Sequence, residues 1–142
     1  MKRPRRERDE RGSITVFYLL AAVGMALVVG LALDLGSSVY AKQRAYDVAT
    51  QAARAGGQAV VAEPAMLGEA ISVDPTRGQA AAMAYITSAG LTGTVTVSTT
   101  TIDVTTTNSW TPVVLGQFGF GTQAFVGRAS ARLVRSVNGV EG

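Results

Sequence analysis

The feature that most constrains this chain is a run of 22 residues, from Gly12 to Leu33, that contains no charged side chain. A helix rises about 1.5 Å per residue, so the run would span roughly 33 Å, and a hydrocarbon core is about 30 Å thick. A cleaved secretory signal would have a shorter apolar region and a small-residue cleavage site, and a buried core helix would need a larger protein around it. We therefore predict a retained transmembrane helix over residues 13–35, with these two interpretations as the alternatives.

The charges that flank this run predict its orientation. The tail of residues 1–12 holds six basic and three acidic side chains, so the formal net charge of +3 lies there. Basic residues are retained on the cytoplasmic side of a membrane. The pattern predicts a single-pass protein of the cell membrane with a cytoplasmic N-terminus and an extracytoplasmic C-terminal domain, and it does not indicate a nucleic-acid partner.

The composition excludes many kinds of active site. The 142 residues include neither cysteine nor histidine, which removes thiol nucleophiles, disulfides, Cys or His zinc sites and histidine general bases. The aspartates Asp34, Asp47, Asp74 and Asp103 are scattered along the chain rather than paired as a metal or glycosidase site requires. Ser38 and Lys42 have helical spacing, but an amphipathic helix explains them better than a catalytic pair does. We predict no enzyme, no metal site, no cofactor and no small-molecule substrate.

Small residues recur every four positions along the predicted membrane helix, at Ala22, Ala26 and Gly30, and Asp34 continues the row. This spacing lets a second helix approach closely in lipid, where van der Waals packing drives association. The row therefore predicts a helix-packing face, and the alternative is the general abundance of Ala and Gly in membrane helices. We expect Asp34 at the outer interface, since a more inward carboxylate would require a partner in a neighbouring chain.

The helical pattern continues beyond the apolar run, over residues 36–61. Polar residues recur on one side and small apolar residues lie opposite, with no proline between them, which predicts an amphipathic helix with a narrow Ala-lined face. We expect one helix of roughly 40 residues, weakened at Gly56–Gly57, whose second half packs against a sheet or another helix.

Residues 62–142 are predicted to form a small extracytoplasmic α+β domain. A proline-containing loop comes first, followed by a short helix for which Thr76 is a candidate cap and Gly90 a terminator. Alternating β-branched residues then predict a hairpin that turns near Thr99–Thr100, and a second alternating segment from Gln123 predicts a third, antiparallel strand. The predicted fold class is therefore α+β. A long N-terminal helix, transmembrane in its first half and amphipathic in its second, carries a small three-stranded antiparallel sheet and a short helix.

Several segments of the sequence together suggest a family. They are ERGSITVF after a basic tail, the apolar helix with GLALDLG, then AKQRAYDVATQAARAGG, and finally a Thr/Val hairpin followed by RASARLVRSV. These segments resemble TadE/TadG-like proteins of Flp-type, or tight-adherence, pilus systems, and the C-terminal pattern is similar to that of members from high-GC Gram-positive bacteria. The resemblance implies a pilin-like minor pilin or pseudopilin, anchored by its helix, with other pilin or Tad assembly subunits as partners.

The resemblance also implies a processing position. Processed members of the family are cut by a prepilin peptidase after a glycine that follows the basic tail, and Gly12–Ser13 matches that position. The fifth residue after the cut is usually Glu in those members and is Phe17 in this chain. Both a cleaved pilin-like subunit and an uncleaved, TadG-like anchor therefore stay open.

Two functions of different kinds fit these expectations. The first is a non-enzymatic, membrane-anchored component of a Flp/Tad-type pilus or related secretion system, in contact with lipid and with other subunits through helix packing. The alternative is a stand-alone, membrane-tethered binding or sensing domain. Changing Ala26 or Gly30 to Leu should weaken association in the first case and leave the protein's associations untouched in the second.

Overall fold

The structure, a computed structural model, describes residues 11–61, 74–133, 136–137 and 140–141. Most of the predicted basic tail, residues 1–10, and nearly all of the predicted connecting loop, residues 62–73, lie outside the described residues. The described part consists of a long N-terminal helix, short helices and a three-stranded antiparallel sheet. The predicted α+β fold class is confirmed.

Helix α1, Arg11–Val61, is 51 residues long and includes both the apolar run and the amphipathic segment that follows it. It exceeds the expected length of roughly 40 residues. With no proline inside it, no residue of α1 lacks the backbone N–H that the helical ladder needs. The helix continues through Gly56 and Gly57 to Val61, and the expectation that these glycines weaken it stays a prediction.

Helix α2, Pro75–Ser88, lies across the second half of α1. Its cap is Asp74, whose Oδ1 accepts a hydrogen bond of 3.0 Å from the backbone N–H of Thr76, so the expectation that Thr76 is the cap is wrong. Pro75 occupies the first turn, where a missing N–H costs nothing. Gly90 follows the helix in the left-handed region, at φ +72°, as a terminating glycine does.

The sheet has the order β1–β2–β3 with both pairings antiparallel, as the alternation predicted. Its strands are β1, Thr92–Val97, β2, Thr101–Trp110, and β3, Gln123–Arg132. The β1–β2 hairpin turns at residues 98–100, close to the predicted place. A one-turn helix, α3, Val114–Gln117, interrupts the connection between β2 and β3. Two short strands, β4, Ser136–Val137, and β5, Val140–Glu141, pair with each other.

One face of the sheet is covered by α1 and α2, and this layer holds the hydrophobic core. The Ala-lined face of α1 packs on both the sheet and α2, as its pattern predicted. The opposite face of the sheet is polar and exposed, with Asp103, Arg128 and Ser130 on it. The buried core residues are Val48, Ala49, Ala52, Ala53, Ala82, Ile86, Leu91, Val95, Ile102 and Val104.

Glycines set how closely these layers approach. Gly56 of α1 is buried, and a Cβ added there would lie 2.9 Å from the carbonyl oxygen of Gly78 on α2. Gly127 of β3 lies so close to α1 that an added Cβ would overlap the backbone of Ala45 and Tyr46. Close approach of α1 to α2 and to β3 therefore depends on these positions lacking a side chain.

Candidate functional site

The rest of the described chain leaves the first half of α1 exposed on every side. All residues from 14 to 29 are exposed, including Phe17, Ala22 and Ala26. The helical stretch Ile14–Ala59 contains a window with a mean hydropathy of 2.5, and by length and composition α1 is able to cross a membrane. Sixteen consecutive exposed residues with no charged side chain form a surface that water solvates poorly.

The covered part of α1 begins at Gly30. This glycine is buried against the side chain of Val114 on α3, and an added Cβ would overlap that side chain. One turn further along the helix, Asp34 is only 2% exposed. The junction between the uncovered half of α1 and the domain therefore lies at Gly30–Asp34.

The backbone of the β2–β3 loop, residues 111–122, binds the carboxylate of Asp34, and among the described residues no side chain donates to that carboxylate. Oδ1 accepts from the N–H of Val113, and Oδ2 accepts from those of Val114 and Leu115, all three at 2.8 Å. These N–H groups are free at the start of α3 because the first N–H groups of a helix have no partner within it. Asp34 therefore finds its partners within its own chain, whereas the sequence had suggested that an inward carboxylate would need a neighbouring chain.

A polar seam joins β2 to α1 beyond this junction. Thr106, Asn108 and Trp110 alternate along β2, so their side chains share one face of the strand. Thr106 Oγ1 donates to the carbonyl of Ala45 at 2.7 Å, and Asn108 Nδ2 donates to that of Ala41 at 3.0 Å.

The third bond of the seam is donated by Trp110 Nε1 to Ser37 Oγ, at 2.9 Å. Two strand residues advance about 6.8 Å and four helix residues about 6 Å, so the two spacings match closely enough to form three bonds in succession. Ser37 in turn donates to the carbonyl of Asp34 at 2.9 Å. The seam is therefore continuous with the Asp34 junction.

The residues predicted as a helix-packing face are divided by this junction. Ala22 and Ala26 lie on the uncovered half, and Gly30 and Asp34 lie against the β2–β3 loop. Gly30 and Asp34 lie on the same side of α1 as the core-facing residues Ala41 and Ala45. For Ala22 and Ala26, packing against a second helix stays a prediction.

The predicted processing position, Gly12–Ser13, lies in the first turn of α1. Phe17, the fifth residue after the predicted cut, is 67% exposed and its ring meets that of Tyr18 edge-on at 5.9 Å. Cleavage between Gly12 and Ser13 stays a prediction.

Sequence reasoning missed the partners of Asp34 and the polar seam. Thr106, Asn108 and Trp110 have the same strand parity as the core residues Ile102 and Val104. A polar residue with inward parity was the available signal, because a buried polar side chain requires a hydrogen-bond partner. The identity of that partner, 61 to 73 residues away in the chain, is not contained in a local pattern.

Comparison with models of protein families gives a match to the N-terminal part of the chain. Residues 12–59 match the family model of Flp pilus-assembly TadE/G-like proteins. The resemblance to TadE/TadG-like proteins is thereby confirmed for this segment, which covers the uncovered half of α1, the junction and most of the core-facing half. No curated protein and no solved structure matches the chain. The match covers residues 12–59 of the 142 and shows a likeness to this family over α1 alone, and α1 has the length and composition to cross a membrane.

Proposed function

We propose that this protein is a non-enzymatic, membrane-anchored structural component of a Flp/Tad-type pilus or related secretion system. The observation that carries the proposal is the division of α1 at Gly30. The half before Gly30 is apolar and exposed all around, whereas the half after it packs one face against the chain's own domain. A soluble core helix would be covered along its length, so the uncovered half favours a lipid environment.

In this proposal, residues 13–35 cross the membrane and the basic tail of residues 1–12 stays in the cytoplasm. Residues 36–61 then continue outside as the helical spine of an extracytoplasmic domain formed with residues 62–142. The charge of the tail supports the orientation through the positive-inside rule. The partners are membrane lipid and other pilin or assembly subunits, which pack on the uncovered face at Ala22 and Ala26.

The structure changes which variants test the helix packing. Gly30→Leu would disturb the chain's own contact with Val114, so it does not isolate contacts between subunits. Ala22→Leu and Ala26→Leu test contacts between subunits without disturbing the chain's own packing, because both positions are exposed. Ala21→Leu is the matched control, since Ala21 lies about 100° around the helix from Ala22.

The test is chemical cross-linking of the protein in its native membrane, with alkaline extraction of the same membranes. We expect the protein to resist extraction, and we expect Ala22→Leu and Ala26→Leu to reduce cross-linked species while Ala21→Leu does not. Release by alkaline extraction would refute membrane anchoring. Cross-linking that is unaffected by both variants would favour the second candidate, a membrane-tethered binding or sensing domain that acts alone.

The intact mass of the membrane-extracted protein separates two forms of the proposal. Loss of residues 1–12, leaving Ser13 at the N-terminus, would indicate prepilin-type processing and a minor pilin or pseudopilin. A full-length mass would indicate a permanent anchor and an assembly factor. The position of Phe17 favours the second result.

A further inference from the structure

The β2–β3 loop lies beside the part of α1 where a membrane would end. If the hydrocarbon region begins at Gly12, directly after the charged Arg11, a core of about 30 Å ends after roughly 20 helical residues. That point is close to Gly30, which is in contact with Val114 of the loop. The loop is thus held at the level of the outer edge of the hydrocarbon region.

This loop exposes three large apolar side chains, beside the uncharged polar residues Thr111, Gln117 and Thr122, which are also exposed. Val113 is 74% exposed, Phe118 67% and Phe120 54%. No charged residue occurs between Asp103 and Arg128, so the whole loop and the adjoining ends of β2 and β3 are uncharged. Exposed apolar side chains, Phe among them, on an uncharged segment are typical of a surface that contacts a partner or the boundary between lipid and water.

The charges of the sheet are segregated away from the loop. In the β2–β3 register, Trp110 pairs with Gln123 next to the loop, and Thr101 pairs with Arg132 at the other end. Asp103, Arg128 and Arg132 all lie in the half of the sheet remote from the loop. The end of the sheet next to the loop therefore carries no charged side chain, and charged side chains are costly to place near lipid.

Asp34 is the one charged residue of α1 between Gly12 and Ala41. Its carboxylate accepts three backbone N–H groups of the loop, which satisfy it without water. These same bonds hold the loop against α1 at this depth. A carboxylate satisfied in this way costs far less near lipid than an unpaired one.

We propose that the β2–β3 loop is a second membrane-contacting element, which inserts Val113, Phe118 and Phe120 into the outer interfacial region of the bilayer beside α1. The inference rests on the proposed membrane anchoring. It adds that the domain rests on the membrane surface instead of standing away from it on a bare helix. We assign lipid as the occupant of this apolar surface, because the loop contacts α1 at Gly30, where the uncovered and uncharged half of the helix ends.

Fluorescent labels at single cysteines test this placement, since the chain has no cysteine of its own. Val113→Cys, Phe118→Cys and Phe120→Cys report on the loop, Val23→Cys on the middle of the predicted span, and Thr99→Cys on the far end of the sheet. Each full-length variant is labelled with an environment-sensitive dye. It is then reconstituted into phosphatidylcholine–phosphatidylglycerol vesicles that contain lipids with a nitroxide either near the headgroup or deep in the chain.

We expect loop labels to lose most of their emission to the shallow nitroxide and less to the deep one. The label at residue 23 should be quenched more by the deep nitroxide, and the label at residue 99 by neither. Quenching at residue 23 with loop labels that behave like residue 99 would overturn this inference and leave the anchor intact. No quenching at residue 23 would overturn the anchor itself.

A fourth outcome concerns a protein occupant. Blue-shifted emission from the loop labels without nitroxide quenching would show that protein, such as a second copy of this chain, covers the loop. That result would also overturn the assignment to lipid. Three separate loop positions guard against a local disturbance caused by any one cysteine.

Discussion

Asp34 shows how much a single residue does in this molecule. Its side chain ends the uncharged run of α1, lies 2% exposed, and binds three consecutive backbone N–H groups of the β2–β3 loop. Hydrogen bonds to a charged acceptor are each stronger than neutral ones. The position of the loop along α1 is therefore determined chiefly by this one carboxylate.

Asp34→Asn should release the loop while leaving the core intact. The variant replaces one carboxylate oxygen with an amide NH₂ group, which cannot accept hydrogen bonds from the backbone N–H groups of the loop. We expect the amides of Val113–Leu115 to exchange hydrogen about tenfold faster or more, since a charged hydrogen bond contributes about 1.5–3 kcal/mol. Hydrogen exchange of the protein in detergent micelles measures this.

The control for this variant is Asp47→Asn, which makes the same chemical change at an exposed position of α1. Exchange in β2 around Ile102 and Val104, which are buried in the core, should stay the same in both variants. Equal protection of the loop amides in Asp34→Asn and the native protein would contradict the role assigned to Asp34.

Gly127→Ala should destabilise the protein strongly, because the added Cβ would overlap backbone atoms of Ala45 that cannot move independently of α1. We expect a loss of about 1–3 kcal/mol in the free energy of unfolding, the usual cost of overpacking. Gly121→Ala, where an added Cβ meets nothing within 4 Å, should change stability by no more than about 0.5 kcal/mol. Chemical denaturation in detergent compares the two, and equal stabilities would show that β3 can shift away from α1.

At the scale of elements, α1 serves as two helices with different surroundings joined end to end. One row of small residues runs through both halves, and the domain uses its outer part from Gly30 onward. In the core, α2 and the sheet can approach α1 closely because that row carries Ala and Gly. The same property in the uncovered half would permit close approach of another helix.

The neighbouring glycines of α1 should respond to alanine in opposite directions. Gly57→Ala meets nothing within 4 Å and should raise stability by up to about 1 kcal/mol, because alanine is the better helix former. Gly56→Ala should lower stability, because crowding costs of about 1–3 kcal/mol exceed that gain. Denaturation midpoints of the two variants provide the comparison, and a stabilised Gly56→Ala protein would show that α2 yields easily at Gly78.

The elements that could be predicted from sequence were those with a strong local pattern. The strands follow from the alternation of core and surface residues, such as Val95 and Val97 on the core side with the exposed Thr96 between them. Helix α1 follows from an apolar run without proline. The cap of α2 was misassigned because Asp74 and Thr76 are both capping residues, and the proline between them favours the earlier one. The junction at Asp34 could not be predicted, because its partners are about 80 residues away. They are also backbone N–H groups, which every residue except proline has, so no residue type identifies them.

At the scale of the whole molecule, charge is distributed along the long axis of α1. The basic tail lies before the uncharged run, and the charged residues after it, other than Asp34, begin at Lys42. This distribution supports the proposed orientation in the membrane, since basic residues near the ends of a span determine which end stays in the cytoplasm.

Replacing Arg3, Arg5, Arg6 and Arg8 with Gln should therefore allow a fraction of the molecules to insert in the reverse orientation. Labelling of Thr99→Cys on intact cells with a membrane-impermeant maleimide measures the outward fraction, which should fall. Lys42→Gln together with Arg54→Gln is the control, because it removes two positive charges from the other side of the span and should leave labelling unchanged. Undiminished labelling of the tail variant would contradict the charge-based orientation.

The polar seam has a consequence for how the molecule would sit among its neighbours. Bonds from Thr106, Asn108 and Trp110 hold β2 along one side of α1, and the Asp34 junction and the Gly127 contact hold two more points. With so many attachments along a single side, the sheet cannot swivel about the helix axis. The side of α1 that contacts other helices inside the bilayer therefore determines the direction, relative to those helices, in which the polar outer face of the sheet points.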